Sequence, residues 1–398
     1  MKICDVTQFY SPVSGGVKRY ISEKRKHVVE HTRDEHHLIV PGPTTRYERE
    51  GRLHLHTIQS PRLDFFSRYP SRYRLIFNTR LVMDMLDDIR PDIIESGDPY
   101  HVAWTALRAG QQTHASVFGF YHSHFPEAYL RTALKYGGAW VRGAVLNFAE
   151  DYIVNLYSRF AATLVPSEPL RDLLHGWGVT NAVTLNLGVD TRTFQPVPRE
   201  DDLRQKLDLP KDRRVLLYVG RLSPEKNIGM LLAAFEALTE RHPNRYHLVI
   251  VGDGPLRRIL PATRHRTNAL TWRAHLQDSA KLAEYYHAAD LFIHPGVCET
   301  FGLVVLEAQA CGLPCVGVRG SFMDANIMTG LDLWATKNDP HDIADAIERY
   351  DDQDLPTLGA QAAKLVRERF SWDKVFLRQW SLYTKARLQR PKALLQPA

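Results

Sequence analysis

The stretch 298-CETFGLVVLEAQACGLP-314 sets two carboxylates, Glu299 and Glu307, eight positions apart around a Phe-Gly step and an apolar run. The run Leu303–Ala310 predicts a helix that starts near Gly302, with Glu299 in the loop ahead of it and Glu307 inside it. The N–H groups from Phe301 through Gly302 and Leu303 to Val304 then have no partner within the helix and favour an anion. A loop carboxylate, a row of free donors and a second carboxylate along one wall suit a sugar diphosphate: the carboxylates accept from hydroxyls, the donors cradle phosphate. The spacing equally allows Glu307 to be a solvent-side residue on a half-buried helix.

Cations stand at another strand-to-helix turn, 217-LYVGRLSPEKNIGMLLAAF-235, where a strand ends at Gly220, Arg221 follows and Lys226 precedes a helix. In open α/β sheets ligands bind beyond the carboxyl ends of strands. There Arg forks onto two phosphate oxygens and Lys supplies a mobile point charge. A similar turn, 11-SPVSGGVKRYISEK-24, carries Gly15 and Gly16, which let backbone approach a ligand closely, and Lys18 and Arg19 oppose the helix dipole unless an anion compensates. In 118-FGFYHSHFPEAY-129, His122 and His124 follow an apolar strand. They lack a third metal ligand at a suitable spacing, while His122 alone could donate to a reacting sugar. Two isolated surface cations, a plain βα turn and a structural histidine are the alternative readings. Val251-Gly252-Asp253-Gly254-Pro255 lacks the third glycine of a dinucleotide fingerprint and reads as a structural turn, and Asp352-Gln353-Asp354 reads as a solvated loop.

The elements that must position these residues alternate short apolar runs with longer amphipathic stretches, as βαβ units of a mostly parallel sheet do. Strands are expected at Lys2–Val6, His37–Val40, Asp92–Glu95, Ser116–Tyr121 and Ala162–Val165, then at Val215–Val219, His247–Val251, Leu291–His294 and Cys315–Val318. Asn227–Arg241 places Ile228, Leu231, Leu232, Phe235 and Leu238 on one helical face. Between the halves, 186-NLGVDTRTFQPVPREDD-202 reads as a linker, and Ser371 is expected to cap a closing helix with an apolar stripe of Trp372, Val375, Phe376, Trp380 and Tyr383. The 398 residues are 44% hydrophobic and 24% charged with a net charge of +6, enough for two domains with cores. That charge permits phosphate or an anionic surface as a partner without calling for nucleic acid. Four cysteines form neither a disulfide ladder nor a zinc spacing, and Cys311 and Cys315 read as buried free thiols. No signal-peptide core and no membrane-length apolar run is present, so a cytoplasmic chain is expected.

Taken together, GGVKRYI, FYHSH, VGRLSPEKN, VGDGP and ETFGLVVLE followed by ACGLP resemble the GT-B glycosyltransferases of family GT4, over about Gly15 to Lys374. The resemblance implies an α/β fold of two Rossmann-like domains facing across a cleft. The first, residues 1–187 with the closing helix 376–398, would serve the acceptor, and the second, residues 188–375, the nucleotide sugar. Arg221 and Lys226 would neutralise the donor diphosphate, Glu307 would bind the ribose and Glu299 a donor-sugar hydroxyl. Phe301, Gly302 and Leu303 would offer backbone N–H groups, Gly15 and Gly16 would close over the phosphates, and His122 would stand near the reacting sugar. The reaction implied is retaining, metal-independent transfer of a hexosyl group from a UDP- or GDP-sugar to a lipid or saccharide hydroxyl, with no cofactor. An epimerase on the same scaffold and a catalytically silent nucleotide-sugar-binding protein are the rival readings. Ala274 stands where the family carries glycine near the base, 317-GVRGSFMDANIMTG-330 departs from its usual turn, and Pro295-Gly296 replaces Pro-Ser. Finally, 62-RLDFFSRYPSRYRLIF-77 interleaves arginines with aromatics, an expected peripheral contact with a lipid acceptor or the inner face of a membrane.

Overall fold

Short strands that are apolar along their whole length need cover on both faces, which the intervening helices provide. A computed structural model describes residues 1–10, 15–62, 74–122, 139–198 and 202–389. The chain forms two compact units, Met1–Asn186 with Asp373–Ala398, and Leu187–Trp372. The breaks thus fall after Asn186 and Trp372, where the sequence placed them after residues 187 and 375. Each unit is a Rossmann-like α/β layer, a mostly parallel sheet with helices, as the expected fold class requires.

The first unit holds β1 (Lys2–Val6), β2 (Glu35–Gly42), β3 (Arg46–Glu50), β4 (Leu53–Gln59), β5 (Ile93–Ser96), β6 (Ser116–Phe120), β7 (Ala162–Val165) and β8 (Ala182–Thr184). Among the described residues they make one sheet in the order β3-β4-β2-β1-β5-β6-β7-β8, with β3 alone antiparallel to its neighbour. The second unit holds β9 (Arg214–Val219), β10 (Tyr246–Val251), β11 (Leu270–Arg273), β12 (Leu291–His294) and β13 (Cys315–Gly317) in the order β11-β10-β9-β12-β13. Helix Ile228–Arg241 buries the expected face of Ile228, Leu231, Leu232, Phe235 and Leu238. Cys4, Cys311 and Cys315 are buried free thiols and Cys298 is exposed. Asp354, expected in a solvated loop, caps helix Leu355–Phe370 by accepting from the Thr357 N–H at 3.2 Å. Among the described residues no helix is long and apolar enough to cross a membrane.

A polar cluster lies in the core of the first unit. Lys24, on helix Gly16–His31, is fully buried, with Nζ 2.7 Å from Asp5 on β1, 3.2 Å from Glu95 on β5 and 2.9 Å from the Tyr383 hydroxyl. Glu95 also accepts from Tyr20 at 2.8 Å and from Gln379 at 2.7 Å. Gln379 and Tyr383 belong to the closing helix Trp372–Leu388, whose Phe376 is buried as well. That helix begins directly after Ser371, which the fold uses as a bridge partner of Val189.

Replacing Lys24 by Met should destabilise the protein by about 3–5 kcal/mol, because Asp5 and Glu95 would remain buried without their cation. Urea titration followed by tryptophan fluorescence reads this. Burial alone would raise the Asp5 carboxyl, yet Lys24 and His36 beside it together outweigh burial and hold it at about 2 against an ordinary 3.8. Its contribution is therefore complete above about pH 4 and is lost as pH falls towards 2, which the same titration repeated between those limits should follow.

Candidate active site

The strand order of the second unit reverses between β9 and β12, so a ligand finds room beyond the carboxyl ends of those two strands. After β9 the chain passes Arg221 and the turn Pro224–Lys226 before helix Ile228–Arg241. Asn227 sits in the left-handed region at φ 59°, and its Nδ2 donates to the Pro295 carbonyl at 2.9 Å and to Asn338 Oδ1 at 2.7 Å. The Lys226 turn is thus tied to the segment that follows β12. The Tyr218 hydroxyl donates to the Arg221 carbonyl at 3.0 Å, while the exposed Arg221 guanidinium makes no hydrogen bond or ion pair among the described residues. Gly252 lets the 251–255 turn press on this loop, since a Cβ there would fall 1.9 Å from the Gly220 carbonyl oxygen. That turn is structural, as its missing third glycine suggested.

Lys226 Nζ bonds the Glu299 carboxylate, and Nε2 of His294, at the end of β12, lies 3.6 Å from the same oxygen. Burial by itself would raise the Glu299 carboxyl, but Lys226 and then His294 outweigh it and hold the group well below the usual carboxylate range. Glu299 is therefore an ionised, acceptor-only group at working pH. Tyr218, pushed up by burial and then by the charges of Glu299 and Glu225, stays a neutral donor.

Helix Leu303–Ala310 starts at Gly302, as expected. Gly302 has φ 76°, and a Cβ there would fall 2.3 Å from Met323 Sδ. No side chain caps this N-terminus. Below it, Phe301 packs edge-on against Phe370, and its carbonyl accepts from Asn326 Nδ2 at 2.8 Å. Gln309 Nε2 donates to the Asn326 carbonyl at 2.9 Å and Gln309 Oε1 accepts from the Met328 N–H at 2.8 Å. Both amides are buried, so the helix start is pinned from inside the unit. Leu303 is half-buried. Glu307 is only 1% exposed and accepts from the Tyr286 hydroxyl at 3.0 Å on helix Ser279–Ala288. The solvent-side reading of Glu307 is thereby overturned.

In the first unit, His122 follows β6, stacked on Phe120 at 3.9 Å and edge-on to Tyr20 at 5.5 Å. Burial first, then the Lys24 charge, pushes its imidazole down to about 3, so it is neutral at pH 7 with one donor and one acceptor nitrogen. Gly15 is exposed ahead of helix Gly16–His31, whose first turn carries no acidic residue and no side-chain cap. His124 and the aromatic-basic residues 63–73 lie outside the described residues.

The structure thus joins Lys226 to Glu299 directly, sets Arg221, Phe301 and Gly302 on the same two loops, and starts the helix at Leu303. Sequence reasoning missed His294, Asn227, Asn326, Gln309 and Tyr286. His294 had a readable signal, a histidine ending an apolar strand at Leu291–His294.

Two family models match the chain, glycosyl transferases group 1 over residues 199–364 and glycosyltransferase family 4 over residues 14–193. The chain belongs to the group 1 glycosyltransferases of family GT4. This glycosyltransferase is 29% identical, over 353 residues and 87% of either chain, to a GDP-mannose-dependent alpha-(1-6)-phosphatidylinositol dimannoside mannosyltransferase of Mycobacterium tuberculosis. It is 28% identical over 332 residues, 80% of this chain and 72% of the relative, to a GDP-mannose-dependent alpha-mannosyltransferase of Corynebacterium glutamicum. Its fold matches sucrose-phosphate synthase of Thermosynechococcus elongatus with a TM-score of 0.74 at 21% identity, covering 97% of this chain and 98% of that one. Anabaena HepE in complex with UDP and glucose matches with a TM-score of 0.72 at 18% identity, over 97% of this chain and 100% of that one.

Gly302→Ala should destabilise the glycosyltransferase by about 1–3 kcal/mol through left-handed strain, with the clash on Met323 added. Differential scanning calorimetry against the unsubstituted chain checks it.

Proposed function

We propose that this glycosyltransferase moves a hexosyl group from a UDP- or GDP-sugar to a hydroxyl of a lipid or saccharide acceptor, with retention at the anomeric carbon and without a metal. The observation that carries the reading is the Lys226–Glu299 pair, set beside the exposed Arg221 and the uncapped start of helix Leu303–Ala310. A diphosphate entering there offers Lys226 a stronger partner than one carboxylate. Glu299, released, accepts a hydroxyl of the donor sugar, for which its ionised state suits it. Arg221, Lys226 and the N–H groups of Phe301, Gly302 and Leu303 stabilise the charge that grows on the departing diphosphate. Glu307 takes the ribose hydroxyls, the Gly15–Gly16 helix start takes phosphate, and the neutral His122 donates to the reacting sugar.

In the transfer, the bond from the anomeric carbon to the phosphate oxygen breaks as the bond to the acceptor oxygen forms on the same face. The acceptor proton passes to the departing phosphate oxygen, so no second base is needed. The curated relatives named as GDP-mannose-dependent favour GDP-mannose as the first donor to try, and the phosphatidylinositol dimannoside in one such name favours a glycolipid acceptor.

Thermal-shift titration with GDP and UDP should stabilise the protein with at least one nucleotide, and stabilisation by neither would sink the reading. With the better donor, Lys226→Ala and Arg221→Ala should each lower kcat by about a hundredfold or more, as loss of a single oxyanion donor does. Glu299→Ala should abolish most turnover, and unchanged turnover would remove it from the site. Proton NMR of the product should show the donor's own anomeric configuration.

A further inference from the structure

The edge of the first sheet carries a histidine cluster that glycosyl transfer does not use. β2 and β4 pair in parallel with His37 opposite His54 and Ile39 opposite His56, and β3 sets Tyr47 opposite His56. Side chains alternate along a strand, so Glu35, His37, His54, His56 and Tyr47 share one face. The rings of His37 and His54 stack at 4.1 Å. His37 Nδ1 lies 3.1 Å from His56 Nε2, and the Tyr47 hydroxyl lies 2.7 Å from His54 Nδ1.

Each of the two stacked rings has therefore spent its Nδ1 and kept its Nε2. His37 and His54 are 7% and 6% exposed, and among the described residues neither Nε2 has a hydrogen-bond partner. Buried polar atoms are rarely left so, and each one calls for an explanation. The Glu35 carboxylate supplies one, because it stands 4.0 Å from His37 Nε2. A ring nitrogen of each histidine and a Glu35 oxygen all lie within 4.8 Å of one another.

One pair of tautomers compatible with these hydrogen bonds suits a metal ion. With His37 Nδ1–H donating to His56 and His54 Nδ1–H donating to the Tyr47 oxygen, both Nε2 atoms carry lone pairs. A metal-ligating histidine has this arrangement, its far N–H held by a second partner that sets tautomer and orientation. Two neutral imidazoles and one carboxylate are a borderline-soft donor set with a fourth position left for water.

We propose that Glu35, His37 and His54 form a binding site for a divalent transition-metal ion, Zn²⁺ by choice of ligands, which clasps β2 to β4. Metal bonds of about 2.0–2.1 Å at tetrahedral angles set ligand atoms about 3.3 Å apart, so the 4.0 Å gap from Glu35 to His37 must close by about 0.7 Å and no gap in the trio by more than about 1.5 Å. A second trio, His27, His31 and Asp373, is largely exposed and serves as the control.

The test is isothermal titration of ZnCl₂ into the full chain, free of any histidine tag and stripped with EDTA. Visible absorption with Co²⁺ and melting curves with and without Zn²⁺ accompany it. One ion should bind, raise the melting temperature and give a tetrahedral Co²⁺ spectrum. Glu35→Gln and His54→Gln should each weaken binding at least about tenfold, and His31→Gln should leave it unchanged. If His54→Gln fails to fold, Glu35→Gln at its half-exposed position still decides. No heat of binding, equal affinity in Glu35→Gln, or loss of the ion in His31→Gln instead would each overturn the site.

Discussion

A lysine ammonium with no exposed surface sets the terms for the first unit. Moving a charge out of water costs several kcal/mol unless partners replace the solvent, so Lys24 must meet Asp5, Glu95 and Tyr383 at once. The two carboxylates do not share the cation equally. Burial raises both, but Lys24 and His36 together overcome it at Asp5, whereas at Glu95 burial and the nearby Asp5 charge outweigh Lys24. Glu95 adds to its contact with Lys24 the hydroxyl and amide donors Tyr20, Gln379 and Tyr383. Those donors fix where Tyr20 stands, and Tyr20 in turn walls the ring of His122. A core electrostatic constraint thereby reaches a candidate catalytic side chain through two contacts.

The second unit uses the same ion types for another purpose. Lys226 and Glu299 keep 33% and 18% of their side chains exposed, and a pair so open to solvent contributes at most about 1 kcal/mol. Such a pair is easily exchanged. The pair orients both groups, and in the proposed reaction it gives way to the more highly charged diphosphate of the donor. What must not move is the frame, and the frame is held by buried amides. Asn227 ties one loop to Pro295, and Asn326 with Gln309 ties the other to the unit's interior.

Strand existence was legible because short, wholly apolar runs such as Leu291–His294 leave little choice, and Lys2–Val6 and Ala162–Val165 begin and end where they were expected. The β3–β4 pair was not legible. Every residue of Arg46–Glu50 is exposed, so it shows no apolar alternation, and Leu53–Gln59 buries His54, which a hydropathy pattern counts as polar. For the site, charged residues announced themselves at strand ends. The amides that hold them did not, because asparagine and glutamine carry the same signal whether they cap, pin or merely face water. Lys24 was the hardest to see. Its burial depends on Asp5, Glu95 and Tyr383 converging from parts of the chain more than 350 residues apart, as the Lys24–Tyr383 separation of 359 positions shows.

The eight-residue spacing of the carboxylates gains its meaning from the left-handed Gly302 between them. Three residues before that turn, Glu299 lies in the loop outside the helix, bonded to Lys226. Five residues after it, Glu307 is fixed by the helix among Val305, Leu306 and Ala308, with Tyr286 holding its carboxylate. A loop acceptor suits the part of a ligand that changes during reaction, and a helix-fixed one the part that does not. In a donor whose sugar departs and whose nucleoside stays, that asymmetry supports the proposed division of Glu299 for the sugar and Glu307 for the ribose. Glycine adopts a φ of 76° at the least cost of any residue, and here it joins the loop carboxylate to the helix carboxylate within one short segment.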